Sequence, residues 1–290
     1  MADSTAEARQ RYSEELCFTA GVKSHGVVVA FATVPRERFV GPGPWRVMSP
    51  MNMAGYWTTE DGNPRHVYHD VLIALDEPRG INNGQPSLWA HLFDQLGIAA
   101  NNDVLHLGCG SGYYTAIAAE LVGPAGKVTA IEIDPSLAKR ARVALGSWPQ
   151  VTVRNVDGAR SVFDPVDIIV ASAGATHPLR SWLDALKSGG RLLFPMTSTR
   201  GGPGAALLVA REAEDAFAAH FLCRVGFIPF EGARSRDMGR RLAAALRRDW
   251  GVAVNSLRRD VHEKTETCWL HGKSWCLSRL PPRDIGAATP

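Results

Sequence analysis

Apolar positions in the middle of the chain alternate between short continuous runs and helical spacing. Val104, Leu105 and Leu107 form a run that predicts a buried strand, and Tyr114–Val122 follows with an apolar helical stripe. The alternation continues, with strands predicted at Val128–Ile133, Val151–Val156, Val166–Ala171 and Arg191–Pro195, and helices at Ser87–Leu96, Pro135–Leu145 and Pro178–Leu186. Strands that alternate with helices predict an α/β fold, a Rossmann-like, doubly wound, mostly parallel sheet.

The pattern changes on both sides of this region. Residues 1–80 predict an N-terminal helical and loop region, because Ser13–Ala32 is helical in parts and residues 45–65 show no clear period. Downstream, the strands predicted at Ala205–Ala210 and Phe221–Phe230 are joined by a short polar link. Such a short connection predicts an antiparallel edge pair.

The last part of the chain differs in composition from the rest. Ser235–Trp250 predicts an amphipathic helix, and the apolar stretches on either side of His271-Gly-Lys273 predict a hairpin. We therefore divide the chain into an N-terminal region 1–80, a core 81–234 and a C-terminal α+β extension 235–290.

A glycine-rich turn connects the first predicted core strand to its helix. It consists of Gly108, Cys109, Gly110, Ser111 and Gly112. Glycine lets the backbone approach a ligand closely because no Cβ is in the way. Cys109 is interpreted as a packing residue rather than a nucleophile.

An acidic residue closes the second predicted core strand. Glu132 follows Gly112 by 20 positions, which places its carboxylate to accept both hydroxyls of a ribose. The spacing Gly-x-Gly-x-Gly favours S-adenosylmethionine (SAM) over a dinucleotide. The alternatives are a bare strand–turn–helix without a ligand and a solvated acid at a strand end.

Further candidate residues fall at the carboxyl ends of other predicted strands. Asp157 follows one strand, and Ser172–Ala175 follows the next. Ligands of doubly wound sheets bind beyond these strand ends, so the positions predict one common site. A simple turn before Gly158 is the alternative role of Asp157.

Composition and charge exclude several classes of protein. A formal charge of +3 on 290 residues does not call for nucleic acid, and no apolar run is long enough for a transmembrane helix. The polar N-terminus lacks an apolar signal core, which favours a cytoplasmic protein. The five cysteines contain no Cys-x-x-Cys pair, so we expect neither a metal site nor a disulfide framework.

Several ordered motifs resemble those of one family of class I SAM-dependent methyltransferases, the protein-L-isoaspartate O-methyltransferases. The motifs are Val34-Pro-Arg-Glu-Arg-Phe-Val40, Gln85-Pro86, Val170-Ala-Ser-Ala-Gly-Ala175, Gly189-Gly-Arg-Leu-Leu-Phe-Pro195 and Val225-Gly-Phe-Ile-Pro229. The likeness covers roughly residues 10–233. It implies a peptide or protein substrate that carries the acceptor carboxylate.

The resemblance also implies a set of site residues. SAM would be bound by Gln85, Gly108, Cys109, Gly110, Ser111, Gly112, Glu132, Ile133, Asp157, Gly158 and Ala173. Among these, Asp157 would contact the adenine amino group. The acceptor would meet the loop that carries Asn83, Gly84 and Ser87, with Ser87 as either a hydrogen-bond donor or only a helix cap.

Two positions depart from the family pattern. The family has Thr-Ile-Ser before Gln-Pro and its Ser is implicated in catalysis, whereas this chain has Asn82-Asn83-Gly84. His106 replaces the acid of the first strand. These departures bear on isoaspartyl repair and on SAM affinity, and they favour a specialised substrate such as a biosynthetic peptide.

The chemistry fits a carboxylate acceptor. A carboxylate is already ionised at neutral pH and needs no general base, whereas an amine or hydroxyl would need one, with His91 or His177 as candidates. The sequence therefore predicts carboxyl O-methylation, with methylation of a small metabolite and a non-catalytic SAM- or peptide-binding module as alternatives.

Overall fold

The computed structural model describes residues 2–49, 51–199 and 202–282, which form two compact units. The first unit contains residues 2–102 and 109–155, and the second contains residues 103–108 and 156–282. The described helices are α1 Ala2–Ala20, α2 His25–Thr33, α3 Glu37–Val40, a short 3₁₀ helix Pro64–Val67, α4 Pro86–Leu96, α5 Tyr113–Val122, α6 Pro135–Ala144, α7 Arg180–Asp184 and α8 Arg236–Asp249.

The strands also follow one another in chain order. They are β1 Arg46–Ser49, β2 Asn52–Thr58, β3 Leu72–Asp76, β4 Ile81–Asn82, β5 Asp103–Leu107, β6 Lys127–Glu132, β7 Val151–Asn155, β8 Val166–Ala171, β9 Leu186–Thr197, β10 Gly204–Arg211, β11 Phe217–Arg224, β12 Ser256–Arg258, β13 Cys268–His271 and β14 Cys276–Ser278. Among the described residues, no helix is both long and apolar enough to cross a lipid bilayer.

The first unit combines helices with two sets of strands. β6 and β7 pair in parallel, and a four-stranded antiparallel sheet has the order β2-β1-β3-β4. Buried aromatic side chains fill its core, where Phe31 contacts the rings of Tyr12 and Tyr113, and Phe39 also contacts Tyr113. Aromatic rings bury large areas and therefore contribute strongly to such a core.

The four-stranded sheet was not predicted from the sequence. The described side chains on both faces of β2 are exposed or half-buried, and β4 is only two residues long. Such strands leave no alternation of buried and exposed positions, which is the pattern by which a strand is recognised in a sequence.

Eight strands of the second unit pair side by side in the order β13-β14-β12-β11-β10-β9-β8-β5. β5, β8 and β9 are parallel, and each later neighbour is antiparallel. This arrangement confirms the predicted α/β class with parallel central strands and antiparallel strands at the edge. The predicted hairpin is also confirmed, and its strands β13 and β14 extend the antiparallel side.

Three predicted elements were wrong in extent. The helix predicted at Pro178–Leu186 is limited to α7, and β9 continues through Gly189-Gly190 instead of starting after these residues. A Cβ at Gly190 would lie 2.8 Å from the Lys187 carbonyl oxygen, so glycine lets the strand fit closely there. The strand predicted at Phe221–Phe230 begins earlier, at Phe217, because residues 217–224 pair with β10.

Candidate functional site

The glycine turn after β5 requires glycine at alternate positions. Gly108, Gly110 and Gly112 have φ angles of 73°, 57° and 97°, in the left-handed region that residues with a Cβ rarely adopt. At Gly112 a Cβ would also lie 2.8 Å from Leu145 Cδ1. The three glycines are therefore explained by backbone geometry, and helix α5 begins directly after Gly112.

Within the first unit the structure brings Gly110 and Glu132 together, as predicted. The Gly110 amide donates to Glu132 Oε2 at 2.7 Å, and the Asp134 amide donates to Oε1 at 3.0 Å. Each carboxylate oxygen keeps a lone pair for a further donor. Glu132 is 6% exposed, and this burial raises the pKa of its carboxyl group.

The other turn residues have contrasting environments. Cys109 is buried, and burial raises the pKa of its thiol, which fits the predicted packing role. Ser111 Oγ is buried without a hydrogen-bond partner among the described residues, and Ser111 lines a cavity of about 610 Å³ together with Arg38, Lys139 and Arg140. By contrast, the Ile133 side chain is partly exposed to solvent.

The loop that carries Asn83 and Gly84 is fixed by a buried arginine. Arg36 is fully buried and donates to Asn83 Oδ1 at 3.1 Å and to the Gly84 carbonyl at 3.4 Å. It also donates to the carbonyl oxygens of Val67, His69 and Val71. The guanidinium therefore joins the motif Val34–Val40 to two chain segments that follow it.

Ser87 and Gln85 both bind an acidic residue that the sequence analysis missed. Ser87 Oγ donates to Asp70 Oδ2 at 2.7 Å, and the Ser87 amide donates to Asp70 Oδ1 at 2.8 Å. Gln85 Nε2 donates to Asp70 Oδ2 at 3.1 Å and to Ser87 Oγ at 2.8 Å. The hydroxyl proton of Ser87 is thus held by a carboxylate rather than offered to a ligand.

These contacts correct two expectations about helix α4. The helix begins at Pro86 with Gln85 in the capping position, so Ser87 is not its cap. Pro86 explains this start, because proline fits the first helical turn and has no amide proton to satisfy. On this helix Leu88 is half-buried, whereas Trp89, Leu92, Phe93 and Leu96 are buried.

In the second unit Gly108 and Ala173 lie together at the strand ends. A Cβ at Gly108 would be 3.9 Å from Ala173 Cβ, and the Ser172 amide donates to the Leu107 carbonyl at 2.9 Å. His106 Nε2 and Ser172 Oγ are 2.7 Å apart. His106 is fully buried, which lowers the pKa of its imidazole to about 3 and keeps the ring neutral.

Asp157 and Gly158 form a turn in the second unit. Asp157 Oδ1 accepts from the Ala159 amide at 2.8 Å, the pattern of an aspartate-stabilised turn. Asp157 Oδ2 lies 3.5 Å from the exposed Arg160 side chain. The Gly158 carbonyl accepts from Trp182 Nε1 at 2.9 Å. The turn role of Asp157 is therefore present, and its adenine contact stays a prediction.

The missed residues differ in how visible they are in the sequence. Arg36 stands inside the quoted motif Val34–Val40, so the motif was a signal although its buried role was not recognised. Asp70 stands in a segment of irregular composition, 17 positions before Ser87. No local pattern in the sequence connects Asp70 with Ser87, and only the fold brings these two residues together.

Comparison with known proteins gives consistent matches. Residues 13–235 match the family model described as Protein-L-isoaspartate(D-aspartate) O-methyltransferase (PCMT). The protein-L-isoaspartate O-methyltransferase 1 of Geotalea uraniireducens is 30% identical over 219 residues, covering 73% of this chain and 88% of the relative. The enzyme of Pelotomaculum thermopropionicum is 31% identical over 235 residues, covering 79% and 91%.

Solved structures agree on the fold. A protein-L-isoaspartate O-methyltransferase has a TM-score of 0.62 and 24% identity, covering 81% of this chain and 68% of that one. A Plasmodium falciparum structure in complex with S-adenosyl-L-homocysteine also has a TM-score of 0.62, with 14% identity and coverage of 77% and 98%. At these identities the likeness is evidence for the fold alone.

Proposed function

The chain belongs to the protein-L-isoaspartate(D-aspartate) O-methyltransferase family, and we propose that it methylates a side-chain carboxylate, of aspartyl or isoaspartyl type, in a peptide or protein. As a member of this family it is a SAM-dependent methyltransferase. The observation that carries the proposal is the buried hydrogen bond between Gly110 and Glu132 within the family-matched residues.

The residues of the first unit fit the adenosyl cofactor. SAM supplies a methyl group that is activated by a positively charged sulfur. Glu132 keeps a lone pair on each oxygen, which suits it to accept ribose hydroxyls, and the bond from Gly110 fixes the carboxylate in place. Ser111 Oγ is a buried polar atom that lacks a protein partner and would gain one from a polar ligand.

The acceptor side of the site has to position the acceptor carboxylate rather than activate it. A carboxylate is ionised at neutral pH, so the chain needs to hold it in line and exclude water. Such positioning contributes roughly 7–11 kcal/mol to lowering a barrier. No proton therefore has to be removed from the acceptor.

The acceptor loop supports a substrate other than the usual family one. Gly84 carries no hydroxyl, and the hydroxyl of Ser87 is bound to Asp70. The Ser87 hydroxyl already donates its proton to Asp70 and has none left for a second carboxylate. We infer that Asn83, Gly84 and Ser87 shape the acceptor loop, and that a specialised peptide carries the carboxylate.

The test is a methyl-transfer assay with radiolabelled SAM. Matched peptides that contain isoaspartate, aspartate or asparagine at one position serve as acceptors. We expect the radioactive methyl group to appear on a peptide that contains aspartate or isoaspartate. Mild base should then release it, because methyl esters hydrolyse in mild base. A base-stable product, or labelling of a small metabolite only, would overturn carboxyl methylation of a peptide.

Cofactor binding is tested separately by calorimetry with S-adenosylhomocysteine. Glu132→Gln removes a charged acceptor, so we expect affinity to fall roughly 10- to 100-fold. Glu77→Gln is the matched control, since Glu77 is a surface residue that pairs with Arg46. Equal affinities of the two variants would contradict the role of Glu132.

A further inference from the structure

The C-terminal segment contains a cluster of four metal-ligand side chains outside the residues matched by the family. His262, Cys268, His271 and Cys276 each offer one ligand atom, and these atoms all lie within 4.8 Å of one another. The family model ends at residue 235. The cluster is therefore a feature of the extension rather than of the methyltransferase site.

The fold brings these side chains together from a loop and a hairpin. Cys268 and His271 lie on β13, and Cys276 stands opposite His271 on β14. His262 comes from residues 259–267, which form no helix or strand, and its Nε2 is 3.5 Å from Cys268 Sγ. Both cysteines are buried.

The donor set matches the chemistry of one cation. Two thiolates and two imidazoles are ligands of a closed tetrahedral zinc site, with bonds of about 2.3 Å to sulfur and about 2.0 Å to nitrogen. Ligand atoms in such a tetrahedron are roughly 3.3–3.8 Å apart. The observed spread of 4.8 Å needs only a small contraction to reach that geometry.

One histidine is already oriented for metal binding. His262 Nδ1 hydrogen-bonds the Asp260 backbone carbonyl at 3.1 Å and lies 3.2 Å from Asp260 Oδ2, which belongs to a carboxylate that accepts from Arg258 Nε at 2.9 Å. A backbone carbonyl that accepts from one ring nitrogen holds the proton there and leaves the other nitrogen free to ligate. In His262 that other nitrogen is Nε2, which faces Cys268.

Two further ligands of the cluster, His271 and Cys268, have surroundings that suit a bound metal ion. His271 Nδ1 is buried and has no hydrogen-bond partner among the described residues. A buried nitrogen without a partner is costly, and a metal ion would satisfy it. Cys268 Sγ accepts from the Thr265 amide at 3.3 Å, a contact that stabilises a thiolate.

We propose that His262, Cys268, His271 and Cys276 bind one structural Zn²⁺ ion, which ties residues 259–267 to the β13–β14 hairpin. Four protein ligands leave no open position, so the ion takes no part in methyl transfer. The expectation of no metal rested on the missing Cys-x-x-Cys pair, whereas these ligands alternate between histidine and cysteine along the chain.

The experiment measures zinc by mass spectrometry in the untagged, full-length protein. We expect about one ion per chain in the wild type and less than about 0.1 in Cys276→Ser, while Cys17→Ser, outside the cluster, keeps the wild-type content. Asp260→Asn keeps the backbone carbonyl that accepts from His262 Nδ1 and removes the negative charge beside it, so the zinc affinity should fall by no more than about 10-fold.

A second measurement covers the case in which Cys276→Ser does not fold. Cobalt titration of the wild type should give the visible absorption of tetrahedral cobalt with thiolate ligands, and zinc should displace it. Failure to bind either ion with reduced thiols, or a Cys268–Cys276 disulfide in protein purified without oxidant, would overturn the proposal. Neither result depends on methyl-transfer activity, so the two proposals fail independently.

Discussion

At the scale of single residues, Gly84 shows why the family serine is absent. Its φ is 76°, and a Cβ there would lie 2.8 Å from Trp89 Nε1. Trp89 is buried and stacks on Tyr114 at 4.7 Å, so it has no room to move away. The Tyr114 hydroxyl donates to the Gly84 carbonyl at 3.2 Å, which fixes the loop further.

We expect Gly84→Ser to destabilise the protein. Gly189→Ser is the control, because Gly189 has the same φ of 76° but no atom within 4 Å of a Cβ. The control should lose about 1 kcal/mol from backbone strain, and Gly84→Ser about 1–3 kcal/mol more from overpacking. Urea unfolding measures the loss of unfolding free energy in both variants. Equal losses would show that Trp89 moves away to make room for the serine side chain.

At the scale of elements, one buried cation fastens several loops of the first unit. Arg36 has no exposed surface, and its donors reach acceptors as far along the chain as Gly84. Its neighbour Arg38 is exposed, donating to Ser147 Oγ and lying over the Trp148 ring. Two arginines of one motif thus have opposite roles, which allows a controlled comparison.

Arg36→Lys should cost about 3 kcal/mol of unfolding free energy, whereas Arg38→Lys should cost less than about 1 kcal/mol. Lysine has three donors at one point and cannot reach the separated acceptors of the guanidinium, so buried carbonyl groups lose their partners. Chemical denaturation checks the difference. A loss at Arg36 no larger than at Arg38 would show that the buried contacts add no stability.

At the scale of the whole molecule, burial of histidines makes stability depend on pH. The pKa values of His106, His69 and His177 are all lowered, each mainly by desolvation. On acidification the unfolded chain takes up these protons before the folded chain does. The stability due to these neutral rings is complete above about pH 6.5 and is lost as the pH falls.

His106 should make the largest single contribution, because burial lowers its pKa to about 3. We expect His106→Gln to flatten the pH dependence of unfolding free energy by about 2 kcal/mol between about pH 7 and about pH 5. His25→Gln, at an exposed position, should leave the wild-type slope unchanged. If His106→Gln keeps the full slope, the acid sensitivity arises from other groups.

The sequence by itself determined the features that local patterns encode. Burial on one or both faces repeats along a strand or helix, so the apolar runs predicted the parallel strands and the helices around the glycine turn. Gly108–Gly112 and Glu132 were recognisable because backbone geometry and strand-end chemistry require particular residue types there. The structure then supplied the hydrogen bond that joins Gly110 to Glu132.

Only the tertiary structure decided the contacts between distant residues. Asp70 meets Ser87, Arg36 meets Asn83, and four alternating histidines and cysteines gather in the C-terminal extension. A hydrogen bond or a ligand set needs two or more side chains at one point in space, and chain separation leaves no periodic trace of it. Their partners become known only once the backbone path is fixed.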